Sequence, residues 1–257
     1  MKMIKVKNEA DIAVIYIHGT IIDDEDSSWI KFWDVEPAGY QWPKEIRSQL
    51  DAVKDKPLTI YINSYGGSVA AGVAMANMIA RHSKPTTAIV DGYCCSIATQ
   101  IFFSADTCKM PKNAYLMLHK PSTIAAGDAD DFRKAADILD VIQHGLETTY
   151  QKKKLANVTN EEITEMMNQE TWLTGEEAIQ YFNIEPLDSV KTVNCVGSRD
   201  KLKTLNYKKI PETLKFKDDG DKNSPSFLVQ DNCKKQKFDN SIKEIEIALA
   251  KSLAITI

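Results

Sequence analysis

Short apolar runs alternate with glycine- or proline-marked turns along the first half of the chain. Residues 11–17 (DIAVIYI) form a β-branched run closed by Gly19, and residues 58–62 (LTIYI), 86–90 (TTAIV) and 114–119 (AYLMLH) repeat that texture. Runs of this length, bounded by turn residues, predict buried strands. Between them Pro43 opens a stretch with Ile46, Leu50 and Val53 at helical spacing. Val69–His82 is dense in Ala and Met, and Ile97–Phe103 is apolar. Strands alternating with helices predict βαβ units and a largely parallel sheet, an α/β fold.

Beyond Pro121 the spacing changes. Residues 128–154 read as one long helix with Phe132, Ile138, Leu139, Ile142 and Leu146 near a common face. Two Thr-x-x-Glu signatures follow, Thr159…Glu162 and Thr174…Glu177. They predict capping boxes opening helices to about Met167 and about Tyr181, with Trp172 and Leu173 in the core between them. Two segments do not fit the alternation. Acidic residues 23–26 open an irregular stretch to Pro43 that carries Trp29, Trp33 and Trp42, whose rings are expected to pack on the protein's own body or on a partner. After Asp188 the chain turns polar and lysine-rich over 191–239, and 241–257 (SIKEIEIALAKSLAITI) is expected to form an amphipathic helix. This organisation predicts a domain over 1–188, with an irregular aromatic stretch at 23–43, and an appended, partly flexible region at 189–257.

Composition narrows the function classes. The 257 residues carry a formal net charge of −4, so there is no basic excess for non-specific nucleic-acid binding. No apolar run approaches the roughly 20 residues that span a bilayer, and residues 1–10 are polar, which argues against a membrane span or a secretory leader. Five cysteines without a CxxC spacing point to a reducing, cytoplasmic setting with neither disulfide framework nor metal site. No cofactor motif is found: Gly66-Gly67 lacks the spacing of a nucleotide loop.

Two strand-to-helix turns hold the candidate chemistry. Gly66-Gly67 lets backbone amides approach an oxyanion, and Ser96 opens the next helix, so the two turns fit an oxyanion hole and a nucleophile. Glycine pairs also simply make turns, and serine is a common N-cap. A serine nucleophile needs a base, and the chain has four histidines. His18 ends a strand, His82 lies in the last turn of a helix, and His144 lies mid-helix. His119 ends an apolar strand, where α/β sheets gather functional residues, and ranks first. Cys95 is the rival nucleophile, although its small-residue neighbourhood also suits a buried thiol.

Residues 61–69 (YINSYGGSV), 92–97 (GYCCSI), 115–121 (YLMLHKP) and 170–178 (ETWLTGEEA) resemble, in order, the motifs of the ClpP family of self-compartmentalised serine peptidases. The resemblance covers about Asp11 to Asp188. It implies the crotonase-like βαβ superhelical core, with Gly127-x-Ala129-Asp130 starting a handle strand and helix over 121–155. It implies Ser96 as nucleophile, His119 as general base, and Gly67 and Ile97 as amide donors to the oxyanion. Glu170 stands at the third triad position, where the family usually has Asp. Ser68 and Val69 fall where a substrate strand would lie. The implied substrate is a peptide or unfolded protein, and the implied assembly a homo-heptamer or stacked pair of rings.

The sequence departs from the family in three places. About ten residues precede the first strand, which leaves coupling to an AAA+ unfoldase an open rather than an expected partnership. The tryptophan-rich 23–43 segment reads as an insertion, and 189–257 as an extension. Both resemble phage-encoded members that mature head proteins, beside which a Clp protease subunit stays in contention. A signal peptide peptidase with Ser-Lys chemistry, an enoyl-CoA hydratase relative, and a catalytically weak ring subunit acting as scaffold are the competing readings of the same residues.

Overall fold

A computed structural model describes residues 12–28 and 39–187, which fall into two units. One holds the described residues up to Pro121 and again from Ile142; the other is Ser122–Val141. Trp29, Trp33 and the segments 191–239 and 241–257 lie outside the described residues.

The first unit is built on an eight-stranded sheet. Its central strands are β1 (Ala13–Ile21), β3 (Leu58–Gly67) and β4 (Thr86–Cys95), paired in parallel in the order β1-β3-β4. Strand β2 (Tyr40–Gln41) extends the sheet beyond β1, and β5 (Thr107–Pro111) and β8 (Glu185–Leu187) extend it on the other side. Strand β6 (Tyr115–Leu118) pairs with the second half of β4 and, antiparallel, with β7 (Thr171–Thr174). Alternate residues of β1 and β3 are buried: Ala13, Ile15 and Ile17 on one, Leu58, Ile60 and Ile62 on the other. Helices α1 (Pro43–Ala52), α2 (Val69–Ala80) and α3 (Ala98–Ser104) contribute to the same hydrophobic core.

Strands β3 and β4 run five residues further than their apolar runs suggest. Their second halves carry Asn63, Ser64, Asp91 and Gly92, which break the hydrophobic signal. The chain stays extended there because side chains bridge two irregular registers. The buried Ser64 hydroxyl donates to the Gly19 carbonyl (2.5 Å) and accepts from the Gly66 amide (3.1 Å), across the shift between His18 and Thr20. Asn63 Oδ1 accepts from the Tyr93 amide (3.1 Å), across the shift between Ile62 and Ser64. Strands β2, β5, β7 and β8 leave no comparable trace in the sequence, being five residues or shorter.

Helix α4 (Ala129–Lys153) forms where the long helical spacing places it, but its apolar residues do not share one environment. Within the second unit Phe132, Ile138 and Val141 are 54%, 60% and 74% exposed. Within the first, Leu146 and Tyr150 are buried, and Tyr150 packs edge-on to Phe103. Helices α5 (Asn160–Asn168) and α6 (Gly175–Ala178) both begin in complete capping boxes; α6 stops at Ala178, short of the expected Tyr181. Leu173 is buried and Trp172 only half-buried.

The capping box of α6 gives a stability test with a definite pH sign. The Thr174 amide and hydroxyl both donate to the Glu177 carboxylate (2.8 Å each), which holds that carboxyl below its ordinary value. A carboxyl depressed in the folded state stabilises fully above its unfolded pKa, and that contribution is lost as pH falls through the folded one. Thr174→Ala is expected to cost about 1 kcal/mol at pH 7. In paired urea melts the difference from wild type should shrink at pH 3; an undiminished difference there would contradict the assignment.

Candidate active site

Strand β4 ends at Cys95 and α3 starts at Ala98, so Ser96 lies in the join, at φ +55°. Among the described residues the non-glycine positions with positive φ are two, Ser96 and Glu170. Holding a side-chain-bearing residue there costs about 1–2 kcal/mol. Such strain persists only where the surroundings over-determine it, and it gathers at functional sites.

The surroundings of Ser96 do so. Its amide donates to the Met117 carbonyl (2.9 Å), and its own carbonyl accepts from the Thr99 amide (3.0 Å) and hydroxyl (2.6 Å). The Met117 bond follows from the β4–β6 register, which pairs Cys95 with Met117. The same register brings His119, just past the end of β6, alongside the serine. His119 Nε2 lies 2.6 Å from Ser96 Oγ, a distance at which the imidazole can take the hydroxyl proton. Both side chains are half-buried, so the pair is reachable from solvent.

The other histidines have different partners. His18 Nε2 lies 3.1 Å from Asp91 Oδ2, His82 Nε2 lies 2.8 Å from the Lys56 carbonyl, and the exposed His144 lies 3.8 Å from Glu147. Cys95 is fully buried, and burial pushes its thiol far above the ordinary range, as it does that of Cys94. A thiol without accessible thiolate is a poor nucleophile, so Cys95 fills core space.

The two glycines stand where the serine needs room. At Gly66 (φ +97°) a Cβ would come within 2.7 Å of the Ser96 Cβ. At Gly67 (φ +144°) it would run into the Ile21 carbonyl oxygen. Gly67 is exposed, whereas Ile97 is buried with helical backbone angles at the start of α3. Ser68 has its polar groups committed: its amide donates to Ile21 (2.8 Å), its carbonyl accepts from Gly72 (3.0 Å), and its hydroxyl caps α2 by accepting from Ala71 (3.3 Å). Val69, the first residue of α2, is half-buried.

Glu170 is buried and sits just past the C-terminus of α5, its amide donating to Met167 (3.3 Å). This is the position after a helix where glycine is usual. The β6–β7 ladder pairs Tyr115 with Thr174 and ends at Leu118 with Thr171. Continued one step beyond its end, that register would put His119 opposite Glu170. Glu165, the other acid nearby in sequence, accepts from Gln169 (2.7 Å) on the same helix.

Sequence reasoning passed over two residues that touch this constellation. Thr99, polar in a buried apolar helix, bonds the nucleophile's carbonyl and lies 2.7 Å from the Tyr150 hydroxyl. The signal was present: a lone threonine three residues after a candidate serine is placed to bond back to it. Tyr150 gave none, because its partner lies 51 positions away.

Comparison with known proteins bears on the family and the fold. The profile of the Clp protease family matches residues 43–185. The ATP-dependent Clp protease proteolytic subunit 2 of Bifidobacterium longum is 28% identical over 149 residues, 57% of this chain and 70% of that protein. Subunit 1 of Chlamydia abortus is 27% identical, covering 58% of this chain and 83% of that protein. A ClpP1 mutant structure from Listeria monocytogenes superposes with a TM-score of 0.55 at 19% identity, over 70% of this chain and 93% of the other, a likeness of fold.

Burial makes the cysteines a direct check on the assignment of Ser96 over Cys95. Cys108 is buried too, its thiol pushed up to about 11. Iodoacetamide at pH 8 should leave Cys94, Cys95 and Cys108 unmodified in the folded protein and alkylate all three in urea, as read by peptide mass spectrometry. Rapid alkylation of native Cys95 would contradict this.

Proposed function

Since the chain belongs to the Clp protease family, we propose that it is an endopeptidase in which Ser96, His119 and Glu170 act as a Ser-His-Glu triad. The observation that carries the proposal is the 2.6 Å approach of His119 Nε2 to the hydroxyl of a serine held at φ +55°. Ser96 Oγ attacks the peptide carbonyl while His119 Nε2 takes its proton. The amides of Gly67 and Ile97 donate to the oxyanion that forms. Collapse breaks the C–N bond, and the leaving amine takes the proton from His119. Water, deprotonated by the same imidazole, then resolves the acyl-enzyme and returns the serine.

Glu170 accepts a hydrogen bond from His119 Nδ1–H, fixing the tautomer that leaves Nε2 free to act as base. The β6–β7 register and the burial of Glu170 support this role. The carboxylate is one methylene longer than the family's Asp, and the left-handed backbone at φ +51° sets where that longer chain begins. A substrate strand lies along Gly67 and Val69, and Ser68, whose own groups are committed, shapes that edge. Main-chain recognition of this kind reads side chains weakly, so a broad sequence preference follows.

In this reading residues 1–188 form the peptidase domain, 23–43 an insertion, 121–155 the handle and 189–257 an extension. The exposed Phe132, Ile138 and Val141 on the handle helix support assembly with further copies of the chain into rings. Substrates are peptides or unfolded proteins, in the manner of a Clp subunit or of a phage-type processing peptidase.

Hydrolysis of a fluorogenic peptide tests the triad. Ser96→Ala and His119→Ala should each lower kcat about 10⁶-fold, and Glu170→Gln about 10⁴-fold by releasing the imidazole tautomer. Glu170→Asp should retain most activity. A Glu170→Gln enzyme within about tenfold of wild type would remove Glu170 from the triad.

A further inference from the structure

We infer that Thr99 and Tyr150 are positioning residues that aim the Ile97 amide at the oxyanion. The inference rests on the peptidase reading above and goes beyond it to what holds the proposed oxyanion donor in place.

The direction of the relay follows from counting protons. The Thr99 hydroxyl has one, and it lies 2.6 Å from the Ser96 carbonyl, which can only accept. That proton is therefore committed to Ser96. The Tyr150 hydroxyl, 2.7 Å from Thr99 Oγ1, must then be the donor of their bond. Tyr150 is fully buried, and burial raises its phenol above the ordinary range, so the proton it donates stays in place. The chain of bonds thus runs from Tyr150 on α4, through Thr99 on α3, to the carbonyl of the nucleophile.

That carbonyl shares a peptide plane with the Ile97 N–H. The peptide bond is planar and trans, so the two groups point in opposite directions within one rigid unit. Fixing the oxygen fixes the aim of the N–H. The Ser96 oxygen is held twice, by the Thr99 amide at 3.0 Å and by its hydroxyl at 2.6 Å. Turning the plane would break both. The same bonds draw electron density toward the carbonyl oxygen and make the Ile97 N–H a stronger donor, as in any polarised chain of hydrogen bonds.

The hydroxyl is not there for helix stability. A threonine bonding back to an earlier carbonyl tends to weaken and bend a helix. Here it stands in a helix whose residues Ala98–Phe103 are all buried, where an unpaired hydroxyl would be costly. The Gln100 side chain bonds the Tyr150 hydroxyl too, but its Nε2 also donates to the Leu146 carbonyl (3.1 Å), a tie between the two helices that does not need that hydroxyl. Loss of the Tyr150 hydroxyl therefore leaves the helices tethered.

The test uses the full chain and four proteins: wild type, Thr99→Val, Thr99→Ser and Tyr150→Phe. For each, kcat and KM are measured on a fluorogenic peptide. Inhibition by a peptide trifluoromethyl ketone, which forms an oxyanion on Ser96, is measured beside the affinity of the matching unreactive peptide amide. Losing one oxyanion donor costs about 10²–10³ in kcat, so misaiming it in Thr99→Val should cost about tenfold. KM and amide affinity should stay near wild type while the ketone weakens by the same factor as kcat. Thr99→Ser should restore activity, and Tyr150→Phe should show a smaller loss with the same split between ketone and amide. Should Thr99→Val not fold, Tyr150→Phe carries the comparison alone.

Unchanged kcat in Thr99→Val and Tyr150→Phe, beside an active wild type and an inert Ser96→Ala, overturns the inference and leaves the peptidase reading intact. Equal weakening of ketone and amide also overturns it, because general disorder acts on both. A wild type that does not hydrolyse peptide overturns the inference together with the peptidase reading.

Discussion

A side chain at φ near +55° is disfavoured for any residue but glycine, and at Ser96 the rest of the site is arranged around keeping one there. Strand β4 has to end, the hydroxyl has to project, and a helix has to start within two residues. Bonds from both directions hold the turn: the Ser96 amide to Met117 on β6, and Thr99 to the Ser96 carbonyl from α3. Gly66 leaves space for the serine, and at Gly72 a Cβ would collide with the Ile97 side chain, so α2 packs closely against the turn. Remove any of these and the serine relaxes toward an ordinary helix cap.

The same logic explains why the base and the carboxylate arrive where they do. Strand β6 joins the second half of β4, so its exit delivers His119 beside Ser96. Strand β7 then runs back antiparallel along β6, so Glu170 directly precedes one strand of this pair and His119 directly follows the other. One short antiparallel pairing thus lies between the two residues proposed as partners of Ser96. Glu170 carries the second strained backbone of the described residues. A glycine would be easier at this position after α5.

Much of this was legible in the sequence, for physical reasons that vary by element. The first halves of β3 and β4 announce themselves because both are β-branched and apolar; the second half of β3 does not, because Asn63 and Ser64 spend their side chains on backbone bonds across shifted registers, nor does that of β4, which opens on Asp91-Gly92. The capping boxes at Thr159 and Thr174 were readable because all their bonds are local. Strands β5 and β7 depend on neighbours distant in sequence and left no periodicity. His119 could be ranked but not singled out by its position at a strand end. Its pairing with Ser96, across 23 residues, is a property of sheet register. The Thr99–Tyr150 contact was invisible because it joins two helices across 51 positions. The helical face of α4 was correct as a spacing, yet spacing does not say what covers it, and Phe132 and Ile138 stand exposed.

The central claim is that Ser96 is an activated nucleophile. Treating the folded protein with a fluorophosphonate and measuring its intact mass tests this most directly, with Ser96→Ala treated in parallel. The account predicts one adduct per chain, mapped by peptide mass spectrometry to Ser96 and absent from the variant. No adduct on folded wild type, or an adduct that persists in Ser96→Ala, would contradict it.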